Sequence, residues 1–126
     1  MFFLFGMTQA QDLYFSGKYN GTVKIWKNNT LVHSLSDSLS INPLAIQVTP
    51  EGMVYTAGYV YDTANTQGRI WLNDSTLFSA SDNSVINSLI LNGEDWTAGG
   101  YGENEWNIHK GIVWRNGEVL YSYHKR

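Results

Sequence analysis

The side chains best suited to chemistry lie close together in one stretch, Gly100-Tyr101-Gly102-Glu103-Asn104-Glu105-Trp106-Asn107-Ile108-His109-Lys110. Glu103 and Glu105 are two carboxylates on one loop. A carboxylate pair can serve general acid and base roles on a glycosidic bond, provided the groups stand across a cleft. With the Asn104 amide they could also ligate calcium. The plainer reading of neighbouring acids on a hairpin tip is solvated charge. Trp106 suits stacking on a sugar ring or anchoring a protein partner. Its plainer role would be to cover neighbouring structure. His109 closes the set. The candidate ligand-binding residues are therefore Trp106, Glu103, Glu105, Asn104 and His109.

Other chemistry finds little support. Cysteine is absent, which removes disulfides, thiolate zinc sites and a cysteine nucleophile. His33, His109 and His124 follow no metal-ligand spacing. They are expected on strands or at the surface. No Gly-x-Ser-x-Gly, phosphate loop or dinucleotide fingerprint occurs. No catalytic residue, metal or cofactor is assigned. Asp37 and Asp82 sit at matching places and are expected to cap turns.

The elements that must carry these residues form an internal repeat. Leu13-Tyr14-Phe15-Ser16-Gly17, Val54-Tyr55-Thr56-Ala57-Gly58 and Asp95-Trp96-Thr97-Ala98-Gly99 align, with glycines spaced by 41 and 41 residues. Tyr14, Tyr55 and Trp96 keep that spacing. Ile25-Trp26-Lys27-Asn28-Asn29, Ile70-Trp71-Leu72-Asn73-Asp74 and Val113-Trp114-Arg115-Asn116-Gly117 align as well. The repeat positions Gly17, Gly58, Gly99, Trp26, Trp71 and Trp114 read as framework. The tryptophans are expected to pack between repeats, with one sugar-stacking site per repeat as the sharper alternative. Trp106 has no counterpart in the other copies.

Each copy reads as four short strands. Asn116-Gly117 is a strong two-residue hairpin signal, and Asn28-Asn29 and Asn73-Asp74 hold the same place with residues tolerant of left-handed backbone. Asn20-Gly21 marks another turn. Three Asn-x-Ser/Thr matches, at Asn20, Asn28 and Asn73, are read as turn chemistry. Pro43 and Pro50 are expected at strand edges. Inner strands are expected over 44–49 and 88–92. The Gly-to-Trp distance grows through 9, 13 and 15 residues, so the copies differ in one hairpin. Such insertions cluster on one face of a repeat architecture, often the binding face.

This pattern resembles the tandem β-propeller blade repeats of exported bacterial proteins. It is neither the WD40 type, lacking the terminal Trp-Asp, nor the Asp-box type, lacking Ser-x-Asp-x-Gly. The resemblance implies an all-β fold of about three four-stranded antiparallel blades. The expected bounds are 12–43, 44–86 and 87–126. Propellers close with about four to eight blades. Three blades leave two bare faces, so either self-association into a ring or origin as a fragment of a longer protein is expected.

Composition agrees. The 126 residues are 15% charged and 14% aromatic, rich in Gly, Asn, Ser and Thr, which favours strands and turns. The net charge of −3 argues against nucleic acid as a partner. Met1 to Met7 is apolar but too short to span a bilayer. With Ala10 and Gln11 after it, segment 1–11 reads either as a signal-peptide remnant or, through Phe2 to Phe5, as the innermost strand of blade one. A secreted or periplasmic location follows from the first reading. The functional expectation is a non-catalytic module that binds or scaffolds protein or glycan. A propeller-type glycoside hydrolase or lyase is the alternative.

Overall fold

The computed structural model describes residues 12–19, 22–103 and 109–124. These form eleven strands. Sheet 1 holds β1 (Tyr14–Tyr19), β2 (Thr22–Lys27) and β3 (Thr30–Leu35). Sheet 2 holds β4 (Ser40–Val48), β5 (Val54–Tyr61), β6 (Thr66–Leu72) and β7 (Ser75–Asp82). Sheet 3 holds β8 (Ser84–Asn92), β9 (Asp95–Glu103), β10 (His109–Arg115) and β11 (Glu118–His124). Every sheet is an antiparallel meander in chain order. The fold is thus all-β and repeated, with three sheets among the described residues. Among the described residues, no strand lies beside β1 in sheet 1 where β4 and β8 lie beside β5 and β9. The segment 1–11 and the Asn20-Gly21 turn, both given roles above, lie outside the described residues.

Alternation decides which side chains meet. In β2, Val23 and Ile25 are fully buried and face sheet 2. Sheet 2 is covered on both sides, so β5 is apolar on both faces. Val54 and Val60 join Trp71, Val23, Ile25, Leu35 and Ile41 in the core between sheets 1 and 2. Tyr55 and Ala57 join Ile70, Ala80, Ile86, Leu89, Trp96, Ala98, Ile112 and Trp114 in the core between sheets 2 and 3. Low charge and high aromatic content have their cause here: a sheet buried on two faces has few places for an ionised side chain.

The strand pairing corrects the sequence alignment at one place. Trp26 lies opposite Phe15, Trp71 opposite Thr56, and Trp114 opposite Ala98. These pairs make Gly17, Gly58 and Gly100 equivalent, rather than Gly17, Gly58 and Gly99. Trp96 then takes the place of Leu13 and Val54, not of Tyr14 and Tyr55. The physical reason is the two-residue period: a slip of one residue turns a side chain to the other face. Tyr55 faces sheet 3, whereas Trp96 faces sheet 2. Packing demands glycine at the corrected position. A Cβ on Gly58 would overlap the Asn42 carbonyl oxygen, and one on Gly100 would overlap that of Val85. Both carbonyls precede a bulge in the inner strand, at Pro43/Ala45 and Ile86/Ser88.

Two further differences concern strand ends. The inner strands start earlier than expected, at Ser40 and Ser84. Pro43 therefore lies inside β4 rather than at a strand edge. It is tolerated because β4 has a neighbour on one side only among the described residues and the bulge follows at once.

The Trp-x-Asn turns do more than reverse the chain. Asn28, Asn73 and Asn116 have φ of 56°, 53° and 49°, and at the next position only Gly117 is also positive. In each turn the Asn backbone N–H donates to the carbonyl of Leu13, Val54 or Trp96, at 2.7, 2.7 and 3.1 Å. The Asn side-chain oxygen accepts from the N–H of that same residue, at 3.0, 3.0 and 2.9 Å. The threefold recurrence of this clamp independently supports the corrected register.

Candidate functional site

Of the residues nominated above, Glu103 and His109 lie at one end of the sheets, where β5 and β9 finish and β10 begins. Glu103 ends β9 and lies opposite His109, the first residue of β10. Asn104, Glu105 and Trp106 lie outside the described residues. The base of that loop is fixed by Asn83, a left-handed residue with φ of 61°. Its N–H donates to the Thr66 carbonyl at 2.6 Å, and its carbonyl accepts the Glu103 N–H at 3.0 Å. One linker residue therefore ties β6, β8 and β9 together. Beside it, Ser84 accepts from the Gly68 N–H at 2.9 Å and donates to the Ser81 carbonyl. Ser84 is fully buried, so this pairing satisfies a hydroxyl that would otherwise be costly to bury.

Asn83 and Glu103 line a shallow cleft of about 190 Å³ with Tyr59, Thr66, Val85 and Tyr101. The cleft offers phenol rings, one carboxylate, an amide and a hydroxyl. Among its described lining residues Glu103 is the one carboxylate. The same end carries a second aromatic group. Tyr59 and Tyr61 pack at 5.8 Å, Lys18 sits over the Tyr61 ring at 5.5 Å, and Asn42 donates to the Tyr59 hydroxyl at 2.7 Å. Sequence reasoning expected the Ser81 to Val85 connection, which holds Asn83, on this face, but missed Tyr59 and Thr66. They are far from Glu103 in the chain, and only stacking of sheets 2 and 3 brings them to it.

The β5–β6 turn at this end is held by Asp62, whose carboxylate accepts from the N–H groups of Ala64 and Asn65 at 2.8 and 2.9 Å. Those two bonds hold its pKa below the ordinary aspartate value. Asp37 lies between sheets 1 and 2. Its carboxylate accepts from the Leu39 N–H at 3.0 Å and pairs with Arg69. Partial burial opposes its ionisation, but the Leu39 amide and the Arg69 charge outweigh that and lower its pKa. Asp37 thus caps a turn and also joins two sheets. Asp82 ends β7 opposite Gln67.

The opposite end carries two grooves that the sequence did not suggest. One, of about 570 Å³, runs between sheets 2 and 3 past Met53, Tyr55, Leu72, Glu51 and Glu94. Its counterpart between sheets 1 and 2, about 380 Å³, passes Asp12, Tyr14, Lys27 and Glu51. They recur because the sheets recur.

Trp71 and Trp114 are 2% and 3% exposed. A ring covered on both faces cannot stack on a sugar, so a sugar site at each repeat does not hold for these two. Trp26 is half-buried and stacks on Phe15 at 6.3 Å. His33 contacts Asp74 across sheets 1 and 2. Among the described residues, no group of three or more His, Cys, Asp or Glu side chains is placed to hold a metal ion. No helix among them is long and apolar enough to cross a membrane. Comparison with protein-family models, with curated proteins and with solved structures gave no match.

Proposed function

We propose that the chain is a non-catalytic β-propeller repeat module that binds or scaffolds a protein or glycan through the end bearing the β9–β10 loop. The observation that carries this reading is the cleft where Tyr59, Tyr101, Thr66, Asn83 and Glu103 meet at the end of β9. Phenol rings stack on sugar or peptide faces, while an amide, a hydroxyl and a carboxylate orient their polar groups. Trp106 would add the large flat anchor such sites use. The propeller reading draws on the repeated antiparallel meanders and on the Trp-x-Asn tryptophan that each of the three sheets carries.

The test is a screen of the purified chain over arrayed neutral, amino and acidic oligosaccharides and over a displayed peptide library. The first hit is then titrated against Trp106→Ala and Tyr101→Ala. Each substitution is expected to weaken binding about tenfold or more, the scale of a lost aromatic anchor. Unchanged affinity in both variants would remove this end as the site. Hydrolysis of a bound oligosaccharide that disappears in Glu103→Gln or Glu105→Gln would instead establish the glycosidase alternative, whose second carboxyl Glu105 would supply.

On this reading the module works outside the cytoplasm. The apolar start followed by Ala10-Gln11 supports export. N-terminal sequencing of the chain recovered from an expressing bacterium should show a new start near Gln11 or Asp12. A start at Met1 would count against cleavage.

A further inference from the structure

We infer that sheet 3 of one chain docks on sheet 1 of a second copy, head to tail, in the same way that sheet 1 packs on sheet 2 and sheet 2 on sheet 3. The inference rests on the propeller reading above and names a partner for it.

The two internal interfaces share one pattern. In each, an outer-strand residue reaches from one sheet to the hairpin turn of the next. His33 of β3 contacts Asp74, in the turn after β6. Phe78 of β7 lies at the equivalent position, since Ile25 is opposite His33 and Ile70 opposite Phe78. Phe78 lies 3.9 Å from the place of a Cβ on Gly117, in the turn after β10. Phe78 also packs on Trp96 at 5.3 Å and edge-on to Trp114 at 6.4 Å. Asp74 and Gly117 hold the same place, each following the left-handed Asn of its turn.

The next step of the series has no partner among the described residues of the chain. The residue equivalent to His33 and Phe78 is Tyr121, opposite Val113. It is 68% exposed, and Tyr123, equivalent to the buried Leu35 and Ala80, is 73% exposed. On sheet 1 the receiving positions are bare in turn. Leu13 is 64% exposed where Val54 and Trp96 are buried. Phe15 is 42% exposed where Thr56 and Ala98 are buried. Trp26, equivalent to buried Trp71 and Trp114, is only half covered, and a cleft of about 390 Å³ opens beside it.

One end of the chain therefore presents the giving face and the other the receiving face of an interface that the chain already makes twice. A second copy supplies both at once, and with two copies a two-fold axis relates the two contacts, sheet 3 of each on sheet 1 of the other. Tyr121 would lie edge-on to the Trp26 of the second copy, as Phe78 does to Trp114. Its hydroxyl would reach Asn29, the counterpart of Asp74 and Gly117. Two copies carry six such sheets, within the range of about four to eight at which propellers close, whereas one copy and three copies fall outside it.

The chain has no cysteine, so single-cysteine variants test the contact cleanly. Asn29→Cys and Tyr121→Cys both fall on exposed residues. Mixed and treated with a short bis-maleimide, they should give a cross-linked pair, while neither variant should cross-link with itself. Sedimentation should show twice the 14.2 kDa chain mass. Tyr121→Asp should raise the dissociation constant at least about a hundredfold and leave a folded monomer. A parent chain that stays monomeric at high concentration would overturn the second copy as partner, with ligand binding at the loop end unaffected as a reading. A Tyr121→Cys chain that links only to itself would indicate a two-fold sandwich, and would overturn the propeller reading as well. A ladder of larger species would overturn the closed two-copy ring.

Discussion

Asp37 shows how much one side chain can join. It caps the turn after sheet 1 through the Leu39 amide and reaches Arg69 in sheet 2. Its folded pKa lies below the ordinary aspartate value of about 3.9. A lowered folded pKa means that the stabilisation is complete above the unfolded pKa and is lost as pH falls through the folded one. Asp37→Asn should therefore destabilise the chain near neutral pH by about 1–2 kcal/mol. That is the lower part of the range for a charged hydrogen bond, because water still screens the carboxylate. The stability curves of parent and variant, from urea titrations at several pH values, should converge below pH 4. A constant gap down to pH 2 would show that the carboxylate charge is not what matters. The turn-capping role was legible from Asp37 and Asp82 at matching places. The Arg69 pairing was not, because the two residues are 32 positions apart.

At the scale of the strand, register carries the information. Gly99 and Gly100 are adjacent, and spacing of 41 residues selected the first. The fold needs the second. At Gly100 an added Cβ meets backbone, the Val85 carbonyl, which cannot turn aside. At Gly99 it meets the Ser88 hydroxyl oxygen at 2.8 Å, which a rotamer change moves away. Gly100→Ala should cost roughly 3 kcal/mol or more, and Gly99→Ala roughly 1 kcal/mol or less. Thermal unfolding of the two variants checks the order, and equal losses would overturn the corrected register. Gly17 is equivalent to Gly58 and Gly100 but has nothing within 4 Å of its Cβ place. That is consistent with β1 having no inner neighbour among the described residues.

Over the whole molecule, two kinds of surface separate. The loop end holds the cleft around Glu103, with backbone bonds from Asn83 setting its base. The outer faces of sheets 1 and 3 hold Phe15, Trp26, Tyr121 and Tyr123. Single exposed aromatics are ordinary, but Phe15, Trp26 and Tyr123 occupy positions buried in the other described sheets, and Tyr121 one that is half-buried there. The two surfaces make separate demands: ligand binding should follow substitutions at the loop end, and assembly should follow those on the faces. The ligand-binding proposal and the second-copy proposal can thus fail independently.

Strand-rich composition, turn-forming Asn-Gly and Asn-Asp pairs and the tandem Trp-x-Asn motif determined an all-β repeat of meanders. Those signals are local: a turn needs only the few residues that bend it, and a strand needs only its alternation. What tertiary structure decided is everything set by contact between sheets. It chose Gly100 over Gly99, buried Trp71 and Trp114 and left Trp26 half open, and paired Asp37 with Arg69. It also brought Tyr59, Thr66 and Asn83 to Glu103. Spacing alone cannot resolve these, because a shift of one residue preserves the motif yet exchanges the two faces of the sheet. Only the neighbouring sheet, by filling one face and not the other, selects between them.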